Sequence, residues 1–154
     1  MKKKARTSTK IDNVDVRLLS LLKSNSRMSY ARLADELGMS ESAVRKRISR
    51  LRKEGIIKRF TIDYKLPNEV RALILIKTTP PTPVPEVARN IARIDGVDAA
   101  YEVTGEIDIV AVATKPNISG INEIIDSIRN VEGVVSSNTL IILNDWVKVG
   151  LMVK

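Results

Sequence analysis

The 154-residue chain contains no cysteine and no histidine. That absence excludes disulfides, thiolate nucleophiles, imidazole general bases and the usual zinc sites. Glutamine is missing as well. No apolar run approaches the ~20 residues that a membrane-crossing helix requires. The basic run Lys2-Lys3-Lys4-Ala5-Arg6 leads into polar residues, not into the apolar segment of a secretory signal. A catalyst built from this chain would have only carboxylates, lysines and hydroxyls to work with. The expectation is a cytoplasmic protein that is not an enzyme, with no catalytic residues, no metal site and no membrane partner. Leu, Ile and Val are plentiful, which excludes general disorder, and the length allows one domain or two small ones.

The net charge of +8 is unevenly spread. Residues 1–65 hold 18 Lys/Arg against 7 Asp/Glu, a net +11, whereas residues 66–154 hold 8 against 11, a net −3. A basic half suits a polyanion, and the acidic half must serve another purpose. RNA or ribosomal binding would account for the first half and leave the second without a role.

The most informative stretch runs from Ser29 to Ile57. Ser40 is a natural N-cap, Gly55 a natural stop, and Val44, Ile48 and Leu51 make an apolar stripe at helical spacing. Ser42, Arg45, Lys46, Ser49 and Lys53 then lie on the opposite side, a surface of cations and hydroxyls with no acid. Upstream, Ser29 caps a short helix carrying Tyr30, Leu33, Ala34 and Leu37, and Gly38 supplies the tight turn. Helix, short glycine-containing turn, and helix with a basic outer face is the helix-turn-helix arrangement. A helix from Asp12 to about Lys23 closes the core with Val14, Leu18, Leu21 and Leu22, while Asp12 and Asp15 suit its N-terminal dipole.

The rest of the chain alternates. Residues 1–11 form a basic flexible arm, residues 12–64 the helix-turn-helix domain, residues 65–69 a hinge and residues 70–154 a second domain. Phe60 to Tyr64 alternates like a short strand, a wing or a lead-in. Strands are expected at Val70–Lys77, Val97–Thr104, Ile107–Thr114 and about Val135–Leu143. Helices are expected from about Pro85 to Ile94 and from about Ile118 to Asn130. Gly105-Glu106 is expected to turn a hairpin. The order strand, helix, strand, strand, helix, strand is the ferredoxin-like plan, so the fold class is α+β. Two helices cover one sheet face only. Apolar groups on both faces of Leu73-Ile74-Leu75-Ile76 and of Thr139 to Leu143 therefore argue for sheet-to-sheet association between subunits.

These residues resemble the Lrp/AsnC family, the feast/famine transcription regulators of bacteria and archaea. The likeness begins at Ile11-Asp12 and Asp15 and passes through Asn25-Ser26-Arg27, Ser29-Tyr30, Leu33-Ala34, Leu37-Gly38, Ser40, Val44, Arg47-Ile48, Leu51 and Gly55-Ile56-Ile57. It resumes at Gly96-Val97, Tyr101 to Gly105, Asp108 and Gly133-Val134. The resemblance implies a winged or helix-turn-helix domain joined to an amino-acid-sensing ferredoxin-like domain, dimers formed through the sheet face, and larger rings such as octamers. It implies no cofactor but a small effector, an amino acid, bound between subunits near the hairpin.

Carried onto this chain, the effector region comprises Tyr101, Thr104, Gly105, Ile107 and Asp108. Asp108 is suited to an ammonium, and Ser137 and Thr139 on the last strand are suited to a carboxylate. Three features depart from the family pattern: a hinge without the glycine often found there, the prolines Pro80, Pro81 and Pro83, and Ile107 in place of an aromatic residue.

The expected function is sequence-specific regulation of transcription on double-stranded DNA by a homodimer or higher oligomer. The helix over residues 40–54 enters the major groove. Ser42, Arg45, Lys46 and Ser49 read bases or the groove, with Ser40 at the helix start, and Arg27, Tyr30, Arg50 and Lys53 hold phosphates. The alternative is an architectural, chromatin-type protein with little sequence preference.

Overall fold

Asp12 starts the first helix, α1 (Asn13–Ser24), through a reciprocal capping box. Its carboxylate accepts from the Asp15 amide at 2.8 Å, and its own amide donates to the Asp15 carboxylate at 3.1 Å. Ser29 caps α2 (Tyr30–Leu37) by accepting from the Arg32 amide at 3.2 Å. That helix stops at Gly38, whose φ of +64° a residue with a Cβ rarely adopts. Ser40 then caps α3 (Glu41–Lys53), accepting from the Ala43 amide at 3.3 Å. Leu18, Leu22, Leu33, Ala34, Val44, Ile48 and Leu51 from the three helices form one core. Ala34 is buried between α2 and its neighbours, where a larger side chain would hold the helices apart.

The computed structural model describes residues 10–62 and 64–146 and separates the chain into two compact units between Asp63 and Tyr64. Apart from Lys10 and Ile11, the basic arm expected at residues 1–11 lies outside the described residues. The strand expected from Phe60 to Tyr64 is not formed over its described residues. Alternation alone does not make a strand. A ladder needs a partner, and Phe60 and Ile62 stay exposed with none beside them among the described residues. Further on, residues 66–69 form a tight turn in which the Leu66 amide donates to Glu69 Oε2 at 2.9 Å.

In the second unit the elements are β1 (Val70–Thr78), α4 (Val84–Ile91), β2 (Val97–Glu102), β3 (Ile109–Lys115), α5 (Ile118–Arg129) and β4 (Val134–Ile141). The strands make one antiparallel sheet in the order β2-β3-β1-β4. This is the ferredoxin-like arrangement, with α4 and α5 on one face. Ala72, Ile74 and Ile76 of β1 and Ile109, Ala111 and Ala113 of β3 point into that face, against Val87, Ala88 and Ile91 of α4 and Ile121, Ile124 and Ile128 of α5. The alternate residues Leu73, Leu75, Val110 and Val112 occupy the other face, together with Tyr101, 56 % exposed, and Leu140, 46 % exposed. α4 ends earlier than expected, since Arg93 and Ile94 close tight turns onto Asn90 and Ile91 in place of a further helical turn.

Gly133 joins α5 to β4 at φ +92°, and a Cβ built there would lie 2.9 Å from Thr82 Cβ and 3.0 Å from Val87 Cγ2. Backbone strain and overlap add at this position. Gly133→Ala is expected to lower unfolding stability by roughly 2–3 kcal/mol. Gly105→Ala, at φ +120° with nothing within 4 Å, should cost distinctly less. Urea denaturation of the two variants checks the difference.

Candidate nucleic-acid interface and effector region

The core stripe of α3 turns Ser42, Lys46, Ser49 and Lys53 into solvent. Arg45 is held to one side of that ridge. Its guanidinium carbon stands 4.1 Å from the centroid of the Tyr30 ring, a cation–π contact with the start of α2. Glu41 also lies within reach, 3.9 Å from Arg45 Nη2, so the expectation of an acid-free outer face is modified at this one point. A groove of about 420 Å³ opens between Tyr30, Arg45, Ser49, Arg52, Lys53 and Lys58, and none of the residues lining it is acidic. Ser40 and Ser42 share a hydroxyl–hydroxyl hydrogen bond of 3.0 Å at the N-terminus of α3. Arg27 is exposed in the turn before α2, where its amide donates to Asn25 Oδ1 at 3.0 Å.

The opposite side of α3 behaves differently. Arg47 Nη1 donates to Asp12 Oδ2 at 2.7 Å and to Asp15 Oδ1 at 2.8 Å, and Arg50 Nη2 donates to Asp15 Oδ2. Asp15 is completely buried, the one buried charged residue among those described. Burial by itself would push its carboxyl up. The hydrogen bonds from Arg50 and Arg47, together with the Asp12 amide, outweigh that and bring it down from 3.8 to about 2. Asp12 is likewise lowered, chiefly by the Arg47 hydrogen bond. Arg50, expected from the sequence to meet phosphate, therefore already has its guanidinium on α1.

In the second unit the hairpin is longer than a two-residue turn. β2 ends at Glu102 and β3 begins at Ile109, with the Val103 amide donating to the Asp108 carbonyl at 2.9 Å. Gly105 lies in this loop at a positive φ, so conformational freedom, not close approach, is what the position asks of glycine. Asp108 Oδ2 accepts from the Thr78 amide at 2.7 Å and from Thr78 Oγ1 at 3.1 Å. Thr78 sits at the register shift in the β1–β4 pairing, where the regular ladder is interrupted.

Ser137 and Thr139 stand opposite Ile76 and Ile74, on the helix-covered face of the sheet, and Ser137 Oγ is buried without a hydrogen-bond partner among the described residues. Tyr101, opposite Val110, is on the other face. Thr104 and Gly105 are exposed, and Ile107 and Asp108 are half-buried. The proposed effector residues thus share one end of the sheet only in part, and within one chain they fall on opposite faces.

A family model for winged helix-turn-helix DNA binding matches residues 11–58, and one for the Lrp/AsnC ligand binding domain matches residues 71–151. The chain belongs to the Lrp/AsnC family. It is a DNA-binding transcriptional regulator of that type, with a ligand-binding domain. The HTH-type transcriptional regulator LysM of Saccharolobus solfataricus is 48 % identical over 88 % of this chain and 96 % of its own length. E. coli AsnC has a similar structure, with a TM-score of 0.73 and 28 % identity over 90 % of this chain and 96 % of that one. A feast or famine regulatory protein of M. tuberculosis, complexed with L-methionine, shares the fold at a TM-score of 0.80 and 24 % identity, covering 90 % and 96 %. Among the described residues no helix is long and apolar enough to cross a membrane.

In this Lrp/AsnC chain, sequence reasoning missed three residues that shape the DNA-binding unit. Arg52 lies close to the core stripe on a helical wheel, and Lys58 follows the helix stop, yet both line the basic groove. Asp15 carried a legible signal. It shares the i, i+3, i+7 stripe with Leu18 and Leu22, which places it inward. Because its carboxyl is depressed in the folded state, the linked stability is present above about pH 4 and lost as pH falls through about 2. Hydrogen exchange of α1 amides should show that loss, of order 2 kcal/mol, and Asp15→Asn should flatten it while costing roughly 3 kcal/mol at neutral pH.

Proposed function

We propose that this chain regulates transcription sequence-specifically, with α3 in the major groove of double-stranded DNA. Ser42, Arg45, Lys46 and Ser49 face base edges or the groove, Ser40 starts the helix beside them, and Arg27, Tyr30 and Lys53 approach phosphates. The observation that carries this reading is Arg45. Its guanidinium is ordered on the Tyr30 ring at the edge of a cationic groove with no acid in its lining, so it is held in place before DNA arrives. A solvated surface helix gives its cations no such fixed geometry.

The acidic second unit joins copies through the open sheet face, where Leu73, Leu75, Val110, Val112, Tyr101 and Leu140 lie without a covering layer among the described residues. An amino acid binds between subunits near the hairpin of residues 103–108. Tyr101 lies on the face open to a second copy, whereas Ser137 and Thr139 lie on the helix-covered one, so the intersubunit reading rests on Tyr101 and the hairpin. The buried Ser137 hydroxyl is an uncommitted donor for a carboxylate. For Asp108 to hold an ammonium, it must do so while still accepting from Thr78.

Footprinting on genomic fragments tests the reading, with discrete, spaced protections expected and uniform coverage pointing to an architectural coat. Arg45→Ala should cost ~1–3 kcal/mol on preferred sites and relax one base position, whereas Lys53→Met should weaken all duplexes alike and lower the salt slope by about 1. A thermal-shift screen of amino acids, repeated with DNA present, should yield a ligand that changes assembly or DNA affinity. A hit that alters neither would remove the sensing role.

A further inference from the structure

α3 carries four arginines, and the structure sends them two ways. Arg45 and Arg52 line the groove beside Tyr30, whose lining holds no acid, and the nearest carboxylate is the exposed Glu41, 3.9 Å from Arg45 Nη2. Arg47 and Arg50 turn away from it onto α1, where Asp15 is buried with both carboxylate oxygens accepting and Asp12 accepts from Arg47 as well. Exposure follows the same division. The Arg45 side chain is 60 % exposed, whereas Arg50 is 38 % and Arg47 27 % exposed. Arg50 also borders a second groove with Lys46, Ser49 and Lys53, and there Glu54 stands beside it as a further acid. Two guanidiniums are therefore matched by two carboxylates before any phosphate approaches, and pulling either cation outward would leave a buried anion with an open lone pair.

We propose that Asp12 and Asp15 are positioning residues for DNA recognition, withholding Arg47 and Arg50 from the duplex so that α3 presents a one-sided cationic surface formed by Arg45, Ser49, Arg52 and Lys53. This rests on α3 being the helix that meets DNA. The consequence is directional. Phosphate contacts set how a protein sits on a duplex without reading its sequence. A helix cationic on both flanks could settle against either backbone, whereas a helix neutralised along one flank has a single favoured seat. The acids thus reduce sequence-independent attraction and orient the readers.

The test uses the full chain and a short duplex of random sequence, with affinity measured across a potassium chloride series. Each phosphate contact contributes close to one unit to the slope of log affinity against log salt. Arg52→Met should lower the magnitude of that slope by about 1 per bound subunit. Arg50→Met should leave it at the wild-type value. Asp15→Asn should raise it and tighten binding to the random duplex, and the rise should vanish when Arg47 and Arg50 are also replaced by Met.

If Asp15→Asn does not fold, the milder Asp12→Asn still decides, raising the slope by loosening Arg47, which keeps its bond to Asp15, and an unchanged slope in that variant overturns the assignment. The assignment is overturned if Arg50→Met lowers the slope as far as Arg52→Met. It is equally overturned if Asp15→Asn folds, loses thermal stability and leaves the slope unchanged, since a merely structural acid would do that. Wild-type binding insensitive to salt, or indifferent to Arg45, Arg52 and Lys53 variants together, would instead overturn the placement of α3 on DNA.

Discussion

A single buried carboxylate organises the DNA-binding unit. Asp15 belongs to the capping box that begins α1, lies on the stripe that α1 turns inward, and accepts from two arginines of α3. Burying a lone carboxylate is prohibitive, so the site exists only while Arg47 and Arg50 are in place. Apolar contacts among Leu18, Leu33, Val44 and Leu51 bring the three helices together, but such contacts tolerate rotation of one helix against another. The ion-paired network tolerates far less, because each guanidinium must meet particular oxygens. The apolar stripe Val44, Ile48 and Leu51 sets which residues of α3 face outward, and the buried charge of Asp15 narrows the rotation further.

Among the described residues, the second unit leaves one face of its sheet without helices. α4 and α5 shield Ala72, Ile74, Ile76 and their neighbours on β3, and small residues at Ala111 and Ala113 let the helices lie close. Period-two alternation then sends Leu73, Leu75, Val110 and Val112 to the other side. A monomer gains nothing from an apolar layer in water, whereas a pair of sheets buries it. This part of the chain is acidic, net −3 over residues 66–154 against net +11 over residues 1–65, so attraction for a polyanion is concentrated in the first part.

Much of this architecture is legible in the residues. Caps at Asp12, Ser29 and Ser40, stops at Gly38 and Gly55, and the inner stripes of α3 and α5 follow from local chemistry, because a helix end must satisfy its own amides wherever it is placed. On α1, by contrast, the expected Val14 gives way to Asp15 beside Leu18 and Leu22. The order of strands and helices follows from periodicity in the same way. What the residues alone did not reveal involved partners distant in sequence. Phe60 to Tyr64 alternates without becoming a strand, since alternation cannot supply a neighbour. Arg50 looked free for phosphate because its acceptor lies 35 residues away on another helix. Asp108 looked like an open anion because the amide of Thr78, which it satisfies, belongs to a different strand.

Elements, caps, the uneven charge and the family resemblance rest on spacing and composition within short windows, and so can be read from the residues. Which cations of α3 are already paired, which face of the sheet holds Ser137 and which Tyr101, and where Asp108 directs its carboxylate emerge with the fold. Those outcomes depend on groups brought together from far apart along the chain. An ionic or hydrogen-bonded partner changes what a side chain can do without changing what it is.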